Sequence, residues 1–158
     1  MELIQTITVG AGGASFIQFA SVPQDSTDLK LVVSARSSNA DSSFSIRLNG
    51  STTNLLMRFL SGYGNSRGSS TSTSQVGNMT GSDYTANTFG NTELYLCNYT
   101  SGQNKTFNST DVTENNAILG VQNIVTGVWS NTAAVTSIGF WGNFAQHSTA
   151  SLYKITKA

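Results

Sequence analysis

The chain has 158 residues, of which Ser (23), Thr (20), Asn (15) and Gly (15) supply nearly half, while 8 basic and 8 acidic side chains leave no formal net charge. One domain accommodates this length, folding should bury about 70% of the unfolded surface, and a single cysteine, Cys97, excludes an intrachain disulfide. The scattered Lys and Arg lack the basic footprint of nucleic-acid binding, and no apolar run approaches the ~20 residues of a membrane-spanning helix, so neither a nucleic-acid nor a membrane partner is expected.

The start, Glu2-Leu3-Ile4-Gln5, has no basic region followed by an apolar one, which predicts a soluble chain made in a cytosol. From there apolar residues recur with period two, the pattern of strands with one buried face. Ile7 and Val9 alternate with threonines, and Ile17 and Phe19 follow a turn at Gly10 to Gly13. Leu29, Leu31 and Val33 make the next strand, then Phe44, Ile46 and Leu48. Asn49-Gly50 reads as a tight hairpin turn, because both residues tolerate positive φ, leading into a strand from Asn54 to Leu60.

The segment SGYGNSRGSSTSTS from Ser61 has one aromatic and no aliphatic residue. Too little burial offsets its ordering entropy, which predicts a mobile loop over 61–75. Alternation returns at Glu93 to Cys97, placing Cys97 as a small core residue, and at Thr106-Phe107. The run Ala117 to Trp129 partly matches helical spacing, but Gly120, Gly127 and its β-branched content predict one or two strands. Strands over Val135 to Trp141 and Ser148 to Thr156 complete the chain. Nine or ten short strands with no amphipathic helix predict an all-β antiparallel sandwich of jelly-roll type, a single domain over 1–158.

Few residues offer chemistry, and no catalytic, cofactor-binding or metal-binding residue is assigned. His147 is the only histidine, and no nucleophile-elbow motif marks a serine to partner it. One His and one Cys fifty residues apart cannot build a zinc site. Asp25, Asp28 and Asp41 are conceivable calcium ligands, yet Asp25-Ser26-Thr27-Asp28 reads better as a turn bonded to its own backbone. Gly10, Gly12 and Gly13 lack the lysine and helix of a phosphate loop, and Glu93 and Glu114 form no visible acid pair. Five Asn-x-Ser/Thr triplets, at Asn49, Asn78, Asn98, Asn104 and Asn108, match what chance gives in this composition. Among the aromatics, Trp129 and Phe140 read as core, and Tyr63 and Tyr84, set in polar surroundings, as contact residues. An exposed aromatic platform on one sheet would favour a carbohydrate-binding or receptor-binding module.

Several segments together resemble a group of small virion structural proteins from tailed phages of marine and cyanobacterial hosts. They are TVGAGGASFIQFASVPQDSTDLKL (8–31), ANTFGNTELYL (86–96), ENNA (114–117), GVWSNTAAVTSI (127–138) and TASLYKI (149–155). The resemblance covers nearly the whole chain apart from the Ser-rich segment, and it rests on turn-and-strand signatures with no catalytic motif. It implies a capsid decoration or cement protein, assembled in the host cytoplasm and seated as a homotrimer on the capsid surface over junctions of the major capsid protein. A carbohydrate- or receptor-binding module of a tail or fibre is the alternative. No functional residue transfers one by one; the N-terminal strand with Ile4, and the surroundings of Arg58, Tyr63 and Tyr84, are the interface candidates.

Overall fold

The structure, a computed structural model, describes residues 1–114 and 120–156. It contains twelve strands: β1 (Glu2–Thr8), β2 (Ala14–Phe19), β3 (Asp28–Ala35), β4 (Ser43–Leu48), β5 (Leu55–Tyr63), β6 (Ser66–Ser72), β7 (Gln75–Asn78), β8 (Gly90–Leu96), β9 (Lys105–Glu114), β10 (Gly120–Trp129), β11 (Ile138–Phe144) and β12 (Thr149–Ile155). They form two sheets, ordered β1-β12-β3-β8-β9-β10-β5-β6 and β2-β11-β4-β7. Every neighbouring pair is antiparallel.

Four pairs are nested along the chain and alternate between the sheets: β1 with β12, β2 with β11, β3 with β8, and β4 with β7. Contacts of β12 with β3 and of β11 with β4 close them laterally. This is the rolled double Greek key of a jelly roll, as the strand pattern predicts. The remaining strands, β5, β6, β9 and β10, are insertions that extend only the larger sheet, as a wing beyond β8.

One core fills the space between the sheets. Leu29, Leu31, Ile46, Leu48, Leu96, Val125, Ile138 and Leu152 are fully buried there, with Trp129 and Phe140 each 1% exposed. Trp129 is a core residue, and its Nε1–H donates to the Thr53 carbonyl (3.2 Å), so the indole satisfies its one polar atom while burying its rings.

Three expectations need correction. Segment 61–75 is not a loop: it continues β5 to Tyr63, turns at Gly64-Asn65 and returns as β6 in register with β5. Backbone bonds to β5, whose Met57 and Phe59 are buried, hold β6 in place although its own side chains bury almost nothing. Asn49 (φ 52°) and Gly50 (φ 76°) do adopt the left-handed turn, and Leu48 bridges Ser51, but the chain then crosses to the other sheet, so β5 is not the hairpin partner of β4. Cys97 is half-buried just beyond β8, outside the core. Within the run from Ala117 to Trp129, residues 117–119 lie outside the described residues, and the rest is β10.

Candidate contact surface

The wing has two faces of different character. Toward the small sheet, β5, β9 and β10 bury Leu55, Met57, Phe59, Phe107, Val125 and Trp129. Their other face points to solvent, and the strand register writes it out in rows. Leu56 lies opposite Val128, Arg58 opposite Thr126, and Leu60 opposite Ile124; Gln122 lies opposite Val112 on β9. Leu56 (54% exposed), Leu60 (62%), Val112 (51%), Ile124 (55%) and Val128 (38%) therefore form an apolar band in water, with Arg58 in its midst. A shallow depression of about 350 Å³ opens on this face between Leu56, Arg58, Cys97, Asn108 and Val128.

The neutral net charge hides an uneven arrangement. Lys30 pairs with Glu93 (2.8 Å), and Lys154 with Asp25 (2.7 Å) and Glu2 (3.5 Å). Buried Lys105 donates to the carbonyls of Ser101 (2.6 Å) and Gln103 (2.7 Å), and burial pushes its pKa down. Arg47, Arg58 and Arg67 form no ion pair among the described residues. Two of those three, Arg58 and Arg67, lie on the wing, with Arg67 opposite Gly62 and thus on the same face as Leu60.

The four interface candidates do not converge. Ile4 sits at a register shift of β1 and packs, half-buried, against the protein's own core; its neighbour Leu3 is the exposed one. Arg58 is central on the wing's outer face. Tyr63 lies at the end of β5 on the opposite face, opposite Ser66 and Val121. Tyr84 is half-buried in the 81–88 segment, and its pKa is raised, first by burial and then by the charge of Asp83. Leu56, Leu60, Val112, Ile124, Val128 and Arg67 were not among the candidates. For Leu56, Leu60, Ile124 and Val128 the signal is the doublets Leu55-Leu56, Phe59-Leu60, Ile124-Val125 and Val128-Trp129, since in a strand adjacent apolar residues put one of the two on the outer face; Val112 and Arg67 carry no such mark.

Arg36 organises the segment that carries Tyr84. Its guanidinium donates to the carbonyls of Ser82 (3.0 Å), Tyr84 (3.2 Å), Thr85 (2.6 Å) and Thr88 (3.2 Å). Glu114 on β9 takes hydrogen bonds from the hydroxyls of Thr85 (3.0 Å) and Thr88 (2.8 Å). Arg36→Ala is expected to lower the unfolding free energy by about 2 kcal/mol and to open residues 81–88 to proteolysis. Urea unfolding and limited proteolysis check this, and an unchanged cleavage pattern would contradict it.

The small sheet carries a different feature. Phe16 on β2 stacks on Trp141 of β11 (centroids 5.5 Å apart, planes 19° apart), and the Arg47 guanidinium from β4 lies 4.3 Å from the indole centroid. The indole leans over Gly139, where a Cβ would stand 2.4 Å from it. Flanked by neighbours from both adjacent strands, Trp141 is half-buried, and Phe16, on the edge strand, is the more open ring at 51% exposed.

The residues weighed for chemistry are occupied separately. Asp28 is buried and accepts from the Tyr95 hydroxyl (2.6 Å) and the Asn98 N–H (2.8 Å); that bond and burial push Tyr95 up to about 12. Asp25 pairs with Lys154, and Asp41 accepts from the N–H (3.0 Å) and hydroxyl (2.8 Å) of Ser43. Among the described residues no three His, Cys, Asp or Glu side chains gather. His147 is exposed in a turn with φ 70°. In comparisons with protein-family models, curated proteins and solved structures, nothing matches this chain.

Proposed function

We propose that this chain is a non-enzymatic structural protein of a tailed-phage virion, a decoration or cement subunit that binds the mature head by surface contact. The supporting observation is the wing's outer face, where an apolar band and arginines with no ion pair among the described residues stand in water on a jelly roll whose carboxylates are mostly engaged internally. The major capsid protein is the proposed partner, the capsid surface the proposed location after assembly in the host cytoplasm, and a homotrimer the proposed form.

Magnitudes favour many weak contacts over one tight one. Each of the five apolar side chains keeps about half its surface exposed, so covering it is worth about 1 kcal/mol. Together that is about 5 kcal/mol, a Kd of about 0.2 mM before association costs. Repetition over a shell makes such contacts effective, and preference for the mature form stabilises it by mass action. Hydroxyl and amide groups around the band can bridge to a neighbour through water at low desolvation cost.

The test is co-sedimentation of purified protein with heads of the corresponding phage prepared without it. Saturable binding with a raised head-melting temperature is expected, and no binding to mature heads would reject the proposal. The row Phe16, Trp141 and Arg47 favours a second reading, a saccharide- or receptor-binding module, through the open face of Phe16. Glycan binding lost in Phe16→Ala, without head binding, would support that reading instead.

A further inference from the structure

Four strands end the two sheets: β1 and β6, and β2 and β7. Free edges invite pairing with other chains, and folded proteins blunt them with bulges or brevity. Pairing is irregular for β1 between Leu3 and Gln5, and for β2 where its partner β11 shifts between Trp141 and Phe144. β7 is four residues long and also shifts register. β6 has none of these devices. It pairs with β5 without a break from Met57–Ser72 to Tyr63–Ser66, and six of its seven residues are exposed.

The turn fixes which of its backbone groups are free. Gly64 (φ 54°) takes the first central position of the two-residue loop Gly64-Asn65, which makes Tyr63 and Ser66 a hydrogen-bonded closing pair. By alternation, Ser66, Gly68, Ser70 and Ser72 bond to β5, whereas the N–H and C=O groups of Arg67, Ser69 and Thr71 point away from the sheet. The side chains of those three share the outer face with Arg58 and Leu60.

We propose that β6 accepts an extended segment of a partner protein as an added strand, carrying carboxylates on the side that meets Arg67. Backbone pairing supplies the attachment and side chains along the added strand the selectivity. Charge complementarity selects the occupant: among the described residues Arg67 and Arg58 have no carboxylate partner, and a second copy of β6 would bring another arginine and no acid. This deepens the contact reading and rests on it, but it is tested apart from head binding.

The probe is a capped eight-residue peptide of alternating Val and Asp, beside the same peptide with Lys for Asp, added to the full chain. Amide hydrogen exchange read by NMR should slow at least tenfold at Arg67, Ser69 and Thr71 with the acidic peptide and stay unchanged with the basic one. Ser69→Pro removes an outward N–H that makes no bond to β5, so it should abolish the protection while the fold persists. Arg67→Ser, which leaves the backbone intact, should weaken acidic-peptide binding about tenfold. Equal protection by both peptides, or none, overturns the proposal. So does protection that appears without peptide and grows with protein concentration, since a second copy then fills the edge. A negative result here leaves head binding through Leu60 and Ile124 standing.

Discussion

Replacing Asp111 with asparagine is expected to raise the unfolding free energy at pH 7 by about 2 kcal/mol. Asp111 faces inward on β9 and is 1% exposed, in a polar layer with Thr92, Ser109, Thr113 and Asn123. One carboxyl oxygen accepts from Asn123 Nδ2 (2.8 Å), and the other has no partner within hydrogen-bond distance among the described residues. Burial pushes its pKa from 3.8 up to about 6, against the opposing pull of the Asn123 amide and the Asn78 backbone. Between those values the folded chain holds a proton that the unfolded chain has released, so this group's contribution to stability falls as pH rises from about 4 to about 6. Above that range its cost is complete, about 3 kcal/mol. Asparagine removes the charge but leaves an unpaired N–H, which reduces the gain. Urea unfolding at pH 4 and pH 8 checks this: the variant should match the wild type at the lower pH and exceed it at the higher. A less stable variant at pH 8 would contradict the account.

The paired change Leu60→Asp and Ile124→Asp is expected to leave the fold intact and to weaken head binding at least a hundredfold. Both side chains are more than half exposed and lie directly opposite each other on the outer face. Their loss gives up the buried half of each side chain and sets two carboxylates directly opposite each other, which costs the monomer about 2 kcal/mol without removing any residue of the core. Against a partner, two carboxylates would be desolvated in the centre of the band, at a cost of several kcal/mol. Arg58 and Arg67 offset part of that cost, which is why both substitutions are made together. Thermal melting and co-sedimentation separate the two effects. Head binding that survives with unchanged affinity would place the contact elsewhere.

The sandwich was legible because β3, β4, β8 and β12 keep a simple rule, apolar in and polar out, as in Phe44, Ile46 and Leu48 against Ser43, Ser45 and Arg47. The wing breaks that rule in both directions. β9 buries Lys105, Ser109, Asp111 and Thr113 while exposing Val112, so alternation gives the period but misleads about the face. β6 has no alternation at all, because both of its faces meet water and its position depends on backbone bonds to β5. The contact face was therefore only partly readable: Arg58 stands out as a charge in an apolar strand, but its apolar neighbours come from β5, β9 and β10, whose order no local pattern reveals. Tyr63, chosen for its polar surroundings, belongs to the opposite face of the wing, and Tyr84 lies off the wing strands in the 81–88 segment.

A reconstruction of the intact particle at a resolution that separates strands tests the contact reading most directly. It should place a twelve-stranded sandwich on the outside of the mature head, with Leu56, Leu60, Ile124 and Val128 against the major capsid protein. Density confined to the tail, or a head-bound copy whose β5, β9 and β10 face solvent, would contradict it.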